Sequence, residues 1–163
     1  MSILRFISDR LPARQIRGPD GEPYLEPYYI CTLLGWRFYL HKFVDSDPDR
    51  GLHDHPWLKA YAIILAGWYI EHRRHGYAPV RWFNSLTGDT FHRVILPNSK
   101  PVWTLFFHRA AGVKDWGFWR TNKDGTASFE PYRYEREGSQ KDWWLTAPKG
   151  RDLRKQSKNG REL

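Results

Sequence analysis

The chain has 163 residues, enough for one domain with a real hydrophobic core, and 17% of them are aromatic, with nine Trp, nine Tyr and nine Phe. No apolar run approaches the roughly 20 residues of a membrane-spanning helix, and the single cysteine, Cys31, excludes an internal disulfide and fits a reducing compartment. The formal net charge of +8 raises the question of nucleic-acid binding, but no helix-turn-helix or zinc-finger pattern is present.

Met1 to Phe6 lacks the hydrophobic region and cleavage site of a signal peptide, so a cytoplasmic protein without membrane contact is expected. Ile3, Leu4, Ile7 and Leu11 stand at helical spacing, which predicts a short amphipathic helix over 2–11, ended by Pro12 and packed on the outside of the domain. Gly18 to Pro23 is a turn. Tyr24 to Leu34 alternates loosely, and Trp36 to Phe43 reads as a strand. The polar run Asp45 to Gly51 lacks the terminal bidentate glutamate of a calcium loop and reads as a plain connection. Lys59 to Leu65, Trp68 to Arg73, Val80 to Phe83, Thr90 to Leu96, Val102 to His108 and Trp116 to Arg120 follow as strands. Gly, Pro, Asn and Asp turns separate them at intervals of about ten residues, the rhythm of a sandwich or barrel. Ser128 to Tyr134 supplies a last edge strand, and Trp143 and Trp144 in Lys141 to Leu145 anchor the C-terminal region. The domain thus covers 1–148. Residues 149–163 hold six basic residues against Asp152 and Glu162, about half of the net charge, and read as a flexible tail. Such a tail can make weak, salt-dependent, sequence-blind contacts with nucleic acid, or can serve solubility alone.

The polar cluster His53-Asp54-His55-Pro56-Trp57 carries the chemistry. On an extended chain His53 and His55 face one side and Asp54 the other, so the two imidazoles can grip one ion. His92, after the turn Gly88-Asp89, is the third nitrogen donor. Three imidazoles make an open site of the catalytic type, suited to Fe(II), Zn, Ni, Mn or Cu. His72 and His75 stand in the basic run His72 to His75, a solvated strand end. His41 alternates with Tyr39 and Phe43, either inside the barrel or simply packed, and packing is the preferred reading.

His-x-His, a strand, the turn glycine Gly67, and then Gly88-Asp89 with His92 resemble the two-part motif of the cupins over residues 36–108. Within that superfamily, His53 to Trp57, Gly67 to Glu71, His92-Arg93-Val94 and Trp103 to Phe107 are similar to small uncharacterised cupin-like proteins of bacteria and their phages. The resemblance implies an all-β chain built as a double-stranded β-helix, a jelly-roll barrel, with a short N-terminal helix and a basic C-terminal tail. Two departures stand out. The glutamate usual after the second histidine is replaced by Lys59 and Ala60, and Gly88 lies four rather than three residues before His92, which requires a bulge or shifted turn. Glu71 is the alternative fourth ligand. Three histidines without a carboxylate, as in cupins that oxidise thiols, is the favoured set.

The leading expectation is a metal-dependent cupin enzyme, a mononuclear non-haem iron dioxygenase acting on a small polar substrate. Tyr69 and Glu71 are candidates for acid–base chemistry or for supporting the metal ligands from behind, and Arg93 is a candidate for an anionic substrate, although alternation turns it outward. The 2-oxoglutarate type, which wants His-x-Asp, does not fit His53-Asp54-His55. The alternatives are a ligand-binding module for a sugar or nucleotide and a phage-type interaction protein. The aromatic surplus suits a homodimer interface.

Overall fold

Ser2 begins the first ordered element, its side chain accepting the Arg5 amide at 3.3 Å as the N-cap of helix α1 (Ile3–Ser8). The computed structural model describes residues 2–132 and 142–159, apart from the side chains of 157–159. Strands β1 (Ile16–Arg17), β2 (Pro23–Leu33), β3 (Trp36–Phe43), β4 (Leu52–His53), β5 (Lys59–Ala66) and β6 (Tyr69–Arg73) come first. After them run β7 (Gly76–Val80), β8 (Phe83–Thr87), β9 (His92–Ile95), β10 (Val102–Arg109), β11 (Gly117–Thr121), β12 (Ala127–Pro131) and helix α2 (Gly150–Asn159).

The strands form two six-stranded sheets, ordered β1-β2-β3-β10-β5-β8 and β12-β11-β4-β9-β6-β7, with neighbours antiparallel throughout. This is the expected jelly-roll barrel. Gly67, at φ +80, makes the crossing from β5 in the first sheet to β6 in the second, a conformation that favours glycine. Between the sheets Tyr69, Val80, Val94, Leu96 and Val102 form one apolar cluster with Phe43 and Ile64 against it, while Trp57, Ala60 and Leu86 form another with Phe106. The histidines lie between these two clusters, because His92 and Val94 share a face of β9 and Trp57 follows His55 by two residues.

Two expectations are corrected. The single strand read at Val80 to Phe83 instead spans the end of β7, a two-residue turn and the start of β8. Strand β7 closes a hairpin on β6, and β8 returns to the first sheet beside β5. The inward face of β8 alternates Asn84 with Leu86, so a buried amide hid the strand period. The tail is not loose over its described part. Residues 150–159 are helical, Leu153 packs on Ala13, Tyr28 and Leu40, and Arg154 pairs with Asp9. Amphipathic spacing of so few apolar residues concealed this helix among its charges. Arg161 and Glu162 lie outside the described residues, as do the ends of the expected segments at Tyr134 and Lys141.

Candidate metal centre

Strand pairing sets the site. His53 of β4 stands directly opposite His92 of β9, and two residues on His55 turns back toward the same space. The ligand-capable nitrogens of His53, His55 and His92 all lie within 4.8 Å of one another. His55 Nε2 and His92 Nε2 are 2.9 Å apart, close to the spacing of about 3 Å between adjacent ligand nitrogens at metal–nitrogen bonds of about 2.1 Å. Gly88 makes room for this arrangement. A Cβ there would meet Trp57 O at 2.7 Å and His55 O at 3.2 Å. The Gly88 carbonyl accepts the His55 amide at 3.3 Å, and Thr90 N returns to Thr87 O at 3.0 Å, so the turn absorbs the extra residue and His92 still points inward.

The protonation states suit ligation. Burial, with His92 and Arg50 nearby, drives the His53 ring well below its ordinary pKa, and burial among four other imidazoles does the same to His55. Both rings are neutral. Behind His92 lies a buried polar network. Glu71 Oε1 accepts from His92 Nδ1 at 3.0 Å and from Asn84 Nδ2 at 2.7 Å, while Glu71 Oε2 accepts from Arg73 Nε at 2.6 Å. Burial pushes the Glu71 carboxyl up, but these hydrogen bonds outweigh it and hold the group below the usual carboxylate range. An ionised Glu71 fixes the proton of His92 on Nδ1 and leaves its Nε2 lone pair facing His55. Glu71 therefore meets the ring on the side away from the three converging nitrogens. Tyr69 is buried in the core, its hydroxyl accepting from Asn84 at 2.9 Å.

The remaining residues sort by strand face. Asp54 turns away from the histidines, accepting from Gly117 N at 2.7 Å and Lys114 Nζ at 2.6 Å, and so clips the chain before β11. Arg93 points outward to Asp49. His41 is inside the barrel and also packed, stacked on Phe106 with centroids 4.6 Å apart. The sequence reading assigned no role to four further contributors. Trp57 stacks on His55 at 4.1 Å and 11° and fixes that ring. His108 faces both Trp57 and Tyr39. Arg73 and Asn84 orient Glu71, and for Arg73 the signal was available as Glu71-x-Arg73 on one strand face.

No protein-family model matches the sequence, and no curated protein matches it. Solved structures do. A cupin-2 domain protein from Rhodospirillum rubrum superposes with a TM-score of 0.54 at 11% identity, over 71% of this chain and 78% of that one. The chain has the cupin fold. A cupin 2 conserved barrel domain protein from Rhodopseudomonas palustris gives the same TM-score of 0.54 at 12% identity, over 71% and 80% of the two chains. A sugar phosphate isomerase of the cupin superfamily from Silicibacter pomeroyi also gives 0.54 at 12%, over 75% and 87%. In this chain the three-histidine cluster is compatible with one divalent metal.

Proposed function

We propose that this cupin is a metal-dependent enzyme, a mononuclear non-haem iron dioxygenase that acts on a small polar molecule beside His53, His55 and His92. The observation that carries the reading is the convergence of three imidazoles, one of them held by Glu71 at the nitrogen that faces away from the other two. Bound there, iron would supply Lewis acidity and a redox couple. The chain's own residues do the rest. Glu71 is a positioning residue, since a carboxylate already accepting three hydrogen bonds is a poor general base. Burial raises the pKa of the Tyr69 hydroxyl far above neutrality, which leaves it a structural group. His41 and His108, lowered by burial to about 3 and about 4, stay neutral and offer a substrate hydrogen bonds rather than charge.

Elemental analysis of the purified protein beside His53→Ala and His92→Ala tests the metal, and oxygen uptake by iron-loaded protein over a panel of small thiols, diols and keto acids tests the chemistry. Stoichiometric metal lost in both variants, with substrate-dependent oxygen uptake, supports the proposal. Metal without oxygen uptake would leave a metal-holding binding module. The second reading, a module that holds a sugar or nucleotide in the barrel, draws on the aromatic rings packed around the histidines, Trp57 on His55 and Phe106 on His41. Ligand binding that survives in His53→Ala would establish it.

A further inference from the structure

The outward face of the second sheet carries a groove of about 670 Å³ that the histidine site does not use. Arg50, Arg74, Arg93 and Arg120 line it, with His72 and Trp119 between them. Strand alternation builds it, because His72 and Arg93 are cross-strand partners on the face opposite to Arg73 and His92. Trp119 and Phe91 meet edge to face at 5.7 Å, and the Arg74 guanidinium lies 3.9 Å from the Trp119 centroid and 4.2 Å from that of Phe91. Arg74 is exposed, and no carboxylate reaches it among the described residues. At the other end His72 stacks on Tyr77 at 4.1 Å, and Tyr77 is 66% exposed.

Cation and anion are unequal here. Asp49 is the one carboxylate among the described residues lining the groove. It holds Arg93 Nη1 at 2.6 Å from a side chain that is itself 80% exposed. Arg120 pairs at 2.7 Å with Glu130, which is also exposed. The Arg120–Glu130 pair, exposed on both sides, contributes little stability and exchanges readily for a phosphate oxygen, while Arg93, only 18% exposed, also donates to Asp47 O at 3.0 Å. The Arg50 guanidinium turns inward over the Phe118 ring at 5.0 Å, so the cations left to a ligand come from three separate segments, after β6, in β9 and in β11, a spread greater than one phosphate can satisfy. Between them lie planar rings.

We propose that this groove binds single-stranded nucleic acid, with successive phosphates on the arginines and unpaired bases stacked on the exposed Tyr77 ring and the half-buried Trp119 ring. Alternating guanidinium and ring is the chemistry of single-strand binding, where stacking is tolerant of sequence and needs bases free of a partner strand. A duplex offers no free base faces, and an acidic peptide has no use for the ring shelf. The inference is independent of the metal centre, which faces the opposite side of the same sheet. It also moves the expected nucleic-acid contact from the C-terminal segment, whose Arg154 is engaged with Asp9, to the sheet face.

A fluorescein-labelled oligothymidylate of about 20 nucleotides, titrated with the full chain and followed by anisotropy, tests it. Binding should be salt-dependent, with a log–log slope of up to about −2, from about 0.7 per phosphate on three arginines. Arg74→Gln and Arg120→Gln, both at exposed positions, should each bind about tenfold more weakly with a shallower slope. Arg151→Gln, on the exposed side of α2, should match wild type. No binding at about 50 mM salt, equal binding by wild type and both groove variants, or equal binding of the annealed duplex would overturn the proposal. Full competition by adenosine monophosphate at equal nucleotide concentration would reassign the groove to free nucleotides.

Discussion

His92 and Glu71 meet at 3.0 Å across the Nδ1 edge of the imidazole, opposite the edge that faces His55. Their relationship makes the carboxylate an orienting group, and it has a measurable consequence. Glu71→Ala should weaken metal affinity about 10- to 100-fold, and Glu71→Gln should fall between, because an amide oxygen still accepts from Nδ1 but carries no charge. Competition with a metal-sensitive chelator reads both. Equal affinities in wild type and Glu71→Ala would show that His92 holds its orientation without help.

Gly88 lies against the backbone that presents His55. Gly88→Ala places a methyl 2.7 Å from Trp57 O, too close for any real contact, so the segment carrying His55 must shift. A loss of about 1–3 kcal/mol in unfolding free energy is expected, as for other overpacked sites, together with weaker metal binding. Chemical denaturation and metal titration of the same sample measure the two. An unchanged midpoint would mean that the turn relaxes freely.

These two positions show what the sequence could and could not disclose. The barrel was legible because strand period and turn spacing are local, and β3 matches its expected range. His53, His55 and His92 were legible because alternation places them on one face. Which of its expected roles Glu71 takes, and any role for Asn84, were not, since both depend on a side-chain contact between β6 and β8 that crosses from one sheet to the other. Trp57 read as a motif residue, and nothing in its spacing showed that its ring would lie flat on His55. For Gly88, the spacing to His92 announced a bulge, while the contact with Trp57 O that demands glycine is made by residues far away in the chain.

Buried neutral imidazoles make the metal-free protein sensitive to acid. His41 and His108 titrate near 6.5 when unfolded but only at about 3 and about 4 in the folded chain. Between pH 6.5 and about 4 the unfolded state therefore binds more protons, and stability falls with acid by at most about 1.4 kcal/mol per pH unit for each ring. Above pH 7 these rings contribute no slope. His53 and His55, also driven down by burial, add in the same direction. Thermal unfolding of metal-free protein at pH 7, 6 and 5 should show a steepening loss, and His41→Phe should flatten it by about one proton. A midpoint flat from pH 7 to 5 would mean that these rings are not buried as neutral groups.

The C-terminal helix provides the last test, because its sequence reads as a solvated tail and its structure as part of the core. Gly150 packs so tightly on the Ser8 carbonyl that a Cβ has no place there, and its amide donates to Leu11 O at 2.9 Å. Leu153 covers Tyr28 and Leu40, which lie on the outward face of the first sheet and would otherwise meet water. Arg154 reaches both Asp9 and the hydroxyl of Tyr28, the latter at 3.1 Å. Leu153→Ala should therefore cost about 1–3 kcal/mol, the low side of a core truncation because the site is only partly buried. Ending the chain after Pro148 should cost more, since it also removes the cap on Tyr28. Denaturant unfolding distinguishes the cases. A truncated protein as stable as the full chain would return this segment to the role of a tail, whereas the expected loss makes α2 and α1 one layer closing the outer face of the barrel.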